Sequence, residues 1–329
     1  LAMAGRQAVD DGNGDYKMID YTAGILTSPM TSGSVVKGAS MLVGYNTGVI
    51  KPGDYQVDEC VKIAGTKEKC SWRTLGRIND IDALALSSNV YQFKIAMKVA
   101  GSTYQYNAPF VITNNAWEIY RNTFHEFGLG VKTEIDLPVE SLGYSGKNDT
   151  PGLLLDFVMG QYETYTPIQL SQYISTIANG GNRMQPHLLK EVHAASEDES
   201  LGDVIYTFEP NVLNTVQTEA AYLNRVKEGF HAVTTYSYGL GRDYIDASHD
   251  PSGKTGTSQS STDTDGDGIN DTETVSTAFI GYAPTSQPKM SITVTSPDST
   301  IENPNNSYST LVTRRISKRA SDAYFALYP

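Results

Sequence analysis

The chain has 329 residues, of which 39% are hydrophobic, and its formal net charge is −12. This length accommodates one large domain or two average ones, and the hydrophobic content allows a buried core, so a wholly disordered chain is excluded. The acidic balance argues against a nucleic-acid partner, because affinity for phosphate backbones depends on clustered Lys and Arg. No apolar run approaches the roughly 18 residues that a membrane span requires.

Residues 1–5 (LAMAG) are typical of the interior of a β-strand. We therefore expect further sequence upstream, where an anchor or a partner domain could lie.

The first candidate motif is Ser34-Val35-Val36-Lys37. It places a hydroxyl and an amine three residues apart, on one face of a helix if that helix begins near Gly33. This spacing suits a serine nucleophile with a lysine base, although the motif alone is weak evidence.

Two cysteines, Cys60 and Cys70, flank the segment VKIAGTKEK, whose glycine could turn a hairpin. In a hairpin the two side chains could face each other and form a disulfide in an oxidising compartment. The sequence leaves a disulfide and free thiols equally open. The cysteine and histidine spacings predict no metal site.

Ser87-Ser88-Asn89 lies between a short helical segment, DIDALAL, and a longer predicted helix, VYQFKIAMKVAG. Alone, a polar Ser-x-Asn at a helix junction is typical of a helix cap.

The middle of the chain is rich in predicted helices, two of which have clear boundaries. One begins at a capping Asn115 and ends at Gly128, and the other is capped by Thr166 and stopped by Gly180. Near the C-terminus, the β-rich segments STAFIGYAP and KMSITVTSP predict an antiparallel hairpin. This order suggests one sheet built from both ends of the chain, with a helical insertion between them.

The last predicted element is an amphipathic helix whose basic face is solvated. Its apolar residues recur at spacings of four, and its basic residues form the densest positive group in the chain. The residues are Tyr308, Val312, Ile316 and Ala320 on the apolar side and Arg314, Arg315, Lys318 and Arg319 on the basic side.

Lys254-Thr255-Gly256-Thr257 precedes the predicted hairpin. A glycine inside a strand lets a ligand or another backbone approach closely, although an ordinary edge strand would fit the same letters.

The aspartates Asp263, Asp265, Asp267 and Asp271 follow at alternate positions, as calcium ligands do. The acid that an EF-hand loop needs at its twelfth position is missing, because Thr274 stands there. The simpler interpretation is a polar turn between two strands, with Asp-Gly pairs favouring the bend. Calcium binding stays open as the alternative.

Taken in order, S-x-x-K, S-x-N and K-T-G are the signature of penicillin-binding proteins and their β-lactamase relatives. Two further segments, FGLGVKTEIDLPVE (127–140) and MGQYETYTPIQL (159–170), are similar to family landmarks. Over nearly its whole length the sequence resembles the transpeptidase domain of class B penicillin-binding proteins. One departure is Glu134, which stands where the family often has glycine.

The resemblance implies an α/β (α+β) fold of the penicillin-binding and serine β-lactamase type. Its expected core is an antiparallel five-stranded sheet flanked by helices, with a helical insertion subdomain. Residues 1–329 would form one transpeptidase domain. The α/β part would comprise about 1–33 plus 231–329, and the helical part about 34–230.

The resemblance also implies a role for each motif residue, without a metal or another cofactor. Ser34 would be the nucleophile and Lys37 its base. Ser87 would be a proton relay that bridges Ser34 and the lysines, and the second lysine, Lys254, would lower the pKa of Lys37 by like-charge repulsion. Asn89 would hold the amide of the substrate. The strand residues would bind the substrate's terminal carboxylate and complete the oxyanion hole; they are Thr255, Gly256 and Thr257.

The implied function is a D,D-transpeptidase that cross-links peptidoglycan stem peptides and is acylated by β-lactam antibiotics. A β-lactam sensor domain, a D,D-carboxypeptidase and a serine β-lactamase are the alternatives. The family further implies an N-terminal membrane anchor outside this chain, catalysis on the extracellular face of the bacterial cytoplasmic membrane, and a membrane glycan polymerase as partner.

Overall fold

A computed structural model describes residues 1–13, 15–147, 150–197, 200–263, 267–301 and 309–328. The elements in chain order are β1 (Arg6–Asp10), β2 (Tyr16–Asp20), α1 (Gly24–Thr27), β3 (Met30–Thr31), α2 (Lys37–Asn46), β4 (Tyr55–Asp58), β5 (Gly76–Asn79), α3 (Asp80–Ala85), α4 (Asn89–Val99), α5 (Ala116–Glu126), α6 (Pro151–Val158), β6 (Thr164–Tyr165), α7 (Pro167–Ala178), β7 (Asn182–Met184), β8 (Glu191–His193), β9 (Val204–Thr207), β10 (Val212–Thr215), α8 (Ala220–Thr235), β11 (Ser252–Thr262), β12 (Thr272–Ala283), β13 (Met290–Ile301) and α9 (Ser309–Leu327).

The largest sheet is antiparallel and has the strand order β11-β12-β13. β12 lies in the centre and is buried over most of its length. On β11, Lys254 pairs with Ile280 of β12, and Thr257 pairs with Thr277 of β12. β12 and β13 form a hairpin in which Ala283 faces Met290, which confirms the predicted turn.

Within the described residues this sheet has three strands rather than the predicted five. The N-terminal strand begins at Arg6, not within residues 1–5, and β1 pairs only with β2. Both of these strands are largely exposed, because they form a separate hairpin instead of extending the large sheet.

The helical part is organised around α2, which is buried from Lys37 to Tyr45. α4, α5 and α8 pack against it, and α8 also contacts β11. Small residues allow this close packing, since Gly38 of α2 faces the rings of Phe230 and Tyr173. The hydrophobic core is continuous with the sheet, because Ala278 and Ile280 of β12 belong to the same buried cluster as the helical residues.

Two predicted helix boundaries agree with the structure. α5 starts one residue after Asn115, and α7 begins with a full capping box. There the Gln169 N–H donates to Thr166 Oγ1 at 3.4 Å, and the Thr166 N–H donates to Gln169 Oε1 at 2.9 Å. The cap at Thr166 satisfies an N–H group that the helix itself leaves unpaired. The predicted cap at Asn115 is wrong, because its side chain makes no capping hydrogen bond and the Ala116 N–H donates to Asn114 Oδ1 instead.

The C-terminal helix is present and its basic residues Arg315 and Arg319 are exposed, as predicted, but the apolar residues do not form its buried face. Tyr308 lies outside the described residues. Val312 and Ile316 are 45% and 49% exposed, whereas Thr313, Ser317 and Ser321 are buried against the sheet. The hydroxyls of Ser317 and Ser321 donate to carbonyls one turn earlier, so the small polar side chains need no other partner and let α9 pack closely.

Glu134 has φ +62, a region that glycine tolerates better than any other residue. The departure from the family pattern at this position therefore retains the backbone conformation that a glycine would adopt.

Candidate active site

Ser34 lies at the start of the helical segment that leads into α2. Gly33 has φ +56 and opens a 3-10 helix, Gly33–Val36, which confirms the predicted helix start. A Cβ on Gly33 would lie only 2.8 Å from Thr257 N, so glycine allows β11 to approach the helix start. Ser34 is half-buried, and its Oγ has no hydrogen-bond partner among the described residues.

Lys37 joins the first motif to the second. Its side chain is fully buried, and its Nζ donates to Asn89 Oδ1 at 2.6 Å and to the Ser87 carbonyl at 2.8 Å. A longer contact of 3.3 Å reaches Ser87 Oγ. The amine is thereby held in one position at the end of α2 nearest to Ser34.

Ser87 occupies a tight turn between α3 and α4. Its φ of +56 is unusual for a residue other than glycine and costs on the order of 1 kcal/mol. Lys254 Nζ donates to Ser87 Oγ at 2.9 Å. The hydroxyl of Ser87 therefore lies between the two lysines and is placed to pass a proton between them.

Both lysines have a pKa below the usual value for a lysine. Burial lowers the pKa of Lys254 from 10.5 to about 7. The pKa of Lys37 is well below its usual value because of burial and then because of the positive charge of Lys254; the negative charge of Asp58 acts in the opposite direction. A buried amine with a lowered pKa can act as a general base near neutral pH.

The Ser-x-Asn segment is both a helix cap and part of this cluster. The middle residue, Ser88, caps α4 by accepting the Tyr91 N–H at 2.9 Å. The flanking residues Ser87 and Asn89 contact the lysines. Both interpretations of this motif are therefore correct, for different residues: Ser88 is the helix cap, and Ser87 and Asn89 belong to the lysine cluster.

β11 lies at the edge of the large sheet and runs past the start of α2. A Cβ on Gly256 would lie 2.9 Å from Val35 Cγ1, so this glycine too permits the close approach. Thr255 is half-buried and Thr257 is exposed, and neither hydroxyl has a hydrogen-bond partner in the described part of the chain. Both hydroxyls are therefore available to a ligand that binds along this edge.

The structure thus brings all three motifs together. Hydrogen bonds join Lys37, Ser87, Asn89 and Lys254, while Ser34 and the strand residues meet through close backbone contacts. A hydroxyl at a helix N-terminus, a buried amine with a lowered pKa and a strand edge for an extended peptide are the parts that nucleophilic acyl transfer requires.

The sequence model of the family described as "Penicillin binding protein transpeptidase domain" matches residues 1–318. The chain belongs to this family. The penicillin-binding protein 2A of Bacillus subtilis is 42% identical over 328 residues, which cover 99% of this chain and 45% of that protein. The penicillin-binding protein 2B of Streptococcus pneumoniae is 34% identical over 287 residues, covering 84% of this chain and 41% of that protein.

A solved structure of penicillin-binding protein 2B from Streptococcus pneumoniae strain 5204 superposes with a TM-score of 0.83 at 29% identity. It covers 100% of this chain and 51% of that one. The chain spans about half the length of the relatives it matches. These comparisons confirm the resemblance to class B penicillin-binding proteins and the α/β class of the fold.

Sequence reasoning missed the support of Asn89 in this penicillin-binding protein domain. The Asn89 side chain donates from Nδ2 to the Cys70 carbonyl at 3.1 Å, and its backbone N–H donates to Ser71 Oγ at 3.0 Å. Ser71 in turn donates to Asp58 at 2.7 Å. The only sequence signal for this support was a polar residue, Ser71, next to Cys70. The contacts could not be predicted because the residues involved lie up to 31 positions from Asn89 in the chain.

Cys60 and Cys70 form a disulfide, which resolves the alternative that the sequence left open. The bridge closes a hairpin in which Val61 pairs with Lys69. Glu68 lies near both sulfur atoms, but the disulfide leaves this group without a thiolate for a metal ion.

Removal of this bridge is expected to destabilise the domain. Replacing both Cys60 and Cys70 by serine should lower the free energy of unfolding by about 2–3 kcal/mol, since an open loop of this length gains entropy in the unfolded chain. Urea denaturation followed by circular dichroism would measure the change. An unfolding midpoint equal to that of the parent protein would contradict the expectation.

The acidic loop after β11 has the hydrogen bonds of a turn. Asp263 Oδ2 accepts the Gly268 N–H at 2.7 Å, and Asp267 Oδ1 accepts the Ile269 N–H at 2.7 Å. Asp265 lies outside the described residues. These contacts favour the turn interpretation, because carboxylates that accept backbone N–H groups stabilise a bend.

Proposed function

We propose that this chain is the catalytic domain of a peptidoglycan D,D-transpeptidase, which cross-links stem peptides through an acyl-enzyme on Ser34 and is acylated by β-lactams. The observation that carries the proposal is the pair of buried lysines, Lys37 and Lys254, which share the hydroxyl of Ser87, with Lys37 three residues after Ser34 in the helical segment that Gly33 opens. Membership of a family named for penicillin binding and transpeptidation supports it.

In the acylation step, Ser34 Oγ attacks the carbonyl carbon between the two D-alanines of a stem peptide. Lys37 accepts the hydroxyl proton, because burial and Lys254 favour its neutral form. When the tetrahedral intermediate collapses, its C–N bond breaks and the proton passes through Ser87 to the departing amine. The products are free D-Ala and an ester on Ser34.

The oxyanion of the intermediate would lie between the backbone N–H groups of Ser34 and Thr257. The close approach of β11 to Gly33 supports this arrangement, since it brings the Thr257 backbone next to the start of the helical segment that carries Ser34. One such donor lowers the barrier by roughly 3 kcal/mol.

The substrate would bind as an extended strand along the edge of β11. The Asn89 side chain would form a hydrogen bond with the peptide amide of the substrate. The free hydroxyls of Thr255 and Thr257 would bind the terminal carboxylate of the substrate. Gly256 would keep β11 close to the start of the helical segment, because a Cβ there would meet Ser32 and Val35. The substrate backbone would add along the same strand by hydrogen bonds.

The ester would then be resolved by an amine of a neighbouring stem peptide. Lys37 would take a proton from the attacking amine and pass it to Ser34 Oγ as the C–O bond of the ester breaks, which restores the hydroxyl and completes the cross-link.

Mass spectrometry of the products formed from a D-Ala-D-Ala stem peptide and an acceptor amine tests this function. A cross-linked peptide that requires the acceptor supports a transpeptidase. Hydrolysed peptide alone would identify a carboxypeptidase or β-lactamase, and a stable ester without product would identify a sensor.

The location and the partners of this domain are further parts of the proposal. We expect catalysis on the extracellular face of the bacterial cytoplasmic membrane, where peptidoglycan lies, with an anchor outside the given chain and a membrane glycan polymerase as partner. In the described residues, no helix is long and apolar enough to cross a membrane. The formation of a disulfide is consistent with an oxidising compartment.

We also propose the division of the domain into an α/β part, about 1–33 plus 231–329, and a helical part, about 34–230. The active site would lie between them, with Ser34 at the boundary and Lys254 on the sheet.

A further inference from the structure

A buried carboxylate, Asp58, lies beneath the Ser-x-Asn turn and has no part in the reaction described above. It ends β4 and is 2% exposed. No Lys, Arg or His nitrogen of the described residues lies within 4.0 Å of its oxygens. Burying an ionised group without a direct cationic partner is costly, so its retention requires a compensating interaction.

The partners of Asp58 are two serine hydroxyls. Ser71 Oγ donates to Asp58 Oδ2 at 2.7 Å, and Ser88 Oγ donates to the same oxygen. Because both hydrogens point to the carboxylate, the lone pairs of both hydroxyls are directed elsewhere.

Those lone pairs accept the first N–H groups of α4. Ser71 Oγ accepts the N–H of Asn89 at 3.0 Å and that of Val90 at 3.2 Å, and Ser88 Oγ accepts that of Tyr91 at 2.9 Å. The negative charge of Asp58 therefore acts through two hydroxyls on the positive end of an 11-residue helix. Asn89 is the first residue of that helix, and Ser87 directly precedes its cap.

We propose that Asp58 is a positioning residue: through Ser71 and Ser88 it fixes the first turn of α4, and so holds Asn89 and Ser87 against the two lysines. The inference rests on the proposed function. The Cys60–Cys70 disulfide reinforces the arrangement, because it joins the segment after Asp58 to the segment that supplies Ser71 and the carbonyl bonded to Asn89.

Charge also distinguishes Asp58 from an ordinary helix cap. The charged groups that act on Lys37 are Lys254, which lowers its pKa, and Asp58, which raises it. Near Asp58 itself, Lys94 donates to the carbonyl of Val57, and Arg73 lines the same small cleft. Removing the carboxylate charge should lower the pKa of Lys37 further.

The test measures the second-order rate of acylation by a fluorescent penicillin as a function of pH, in the 329-residue chain and its variants. In Asp58→Asn, the maximal rate is expected to fall about tenfold, because the amide is a weaker acceptor for the serine hydroxyls. Its acid limb should move to lower pH, since neutral Lys37 then persists to lower pH.

Ser71→Ala keeps the charge and removes the link to Asn89. Its maximal rate should also fall about tenfold, with the acid limb in the wild-type position. Ser71→Thr restores a hydroxyl and should recover most of the rate. Glu59→Gln removes a neighbouring but exposed charge and serves as the matched control, with the wild-type rate expected.

Circular dichroism and thermal melting confirm that each variant is folded. Wild-type maximal rates in both Asp58→Asn and Ser71→Ala would overturn the proposal, even if the melting temperature fell. If Asp58→Asn does not fold, the comparison of the maximal acylation rates of Ser71→Ala and Ser71→Thr decides. Equal rates in these two variants would overturn the proposal. Failure of the proposed function is separately recognised, because then the parent protein itself would not be acylated on Ser34.

Discussion

Replacing Ser34 by alanine is expected to abolish covalent penicillin labelling while the domain stays folded. Without the hydroxyl no ester can form, so the rate should fall at least about a thousandfold, to the detection limit. The fold should tolerate the change, because Ser34 Oγ has no hydrogen-bond partner among the described residues and the residue is only half-buried. Fluorescent penicillin followed by denaturing electrophoresis measures the labelling.

A matched control is Ser28→Ala, which removes a hydroxyl that pairs with Tyr21 shortly before the motif. This variant should be labelled at the parent rate. Undiminished labelling of Ser34→Ala, with parent-like circular dichroism, would be incompatible with Ser34 as the nucleophile.

Replacing Lys254 by methionine is expected to slow acylation at neutral pH by about a hundredfold and to shift its pH dependence. Methionine fills the buried space without a charge or a donor for Ser87. The positive charge of Lys254 lowers the pKa of Lys37, so its removal raises that pKa. Less Lys37 is then neutral at a given pH, and the acid limb of the rate profile should move to higher pH.

Lys254→Met should also change how the free energy of unfolding depends on pH. The pKa of Lys254 is about 7 in the folded protein and 10.5 for an unperturbed lysine. Between these pH values the unfolded chain binds more protons, so the parent protein gains stability as the pH rises, and Lys254→Met lacks this gain. Denaturant midpoints across that range measure it, with the exposed Lys190→Met as control. An unchanged rate profile and a parent-like stability slope would contradict a buried, readily deprotonated Lys254.

Local features of the fold were predictable because they depend on neighbouring residues. The helix start at Gly33 and the capping box at Thr166 follow from side chains within one turn of the boundary. The three motifs could be interpreted together because their order matches the signature of the family that the sequence resembles.

Features set by distant partners were not predictable. Asp58 gave no signal because its partners Ser71 and Ser88 are 13 and 30 positions away. The same limit explains the error on α9: spacing marks one apolar face, but which face packs depends on the sheet that it meets. The hydroxyls of Ser317 and Ser321 form hydrogen bonds within the helix, so the face that carries these small residues can be buried.

The strand count was wrong for a related reason. A β-rich segment indicates a strand but not its neighbours, and β1 pairs with β2 instead of with the large sheet. Within the described residues, only β11, β12 and β13 form that sheet, and β11 alone carries site residues.

The most direct measurement of the central claim is the position of the covalent adduct. The parent protein would be treated with benzylpenicillin, digested, and sequenced by tandem mass spectrometry. We expect a penicilloyl group on the hydroxyl of Ser34 alone. An adduct on Ser87 or elsewhere, or no adduct on a folded protein, would contradict it.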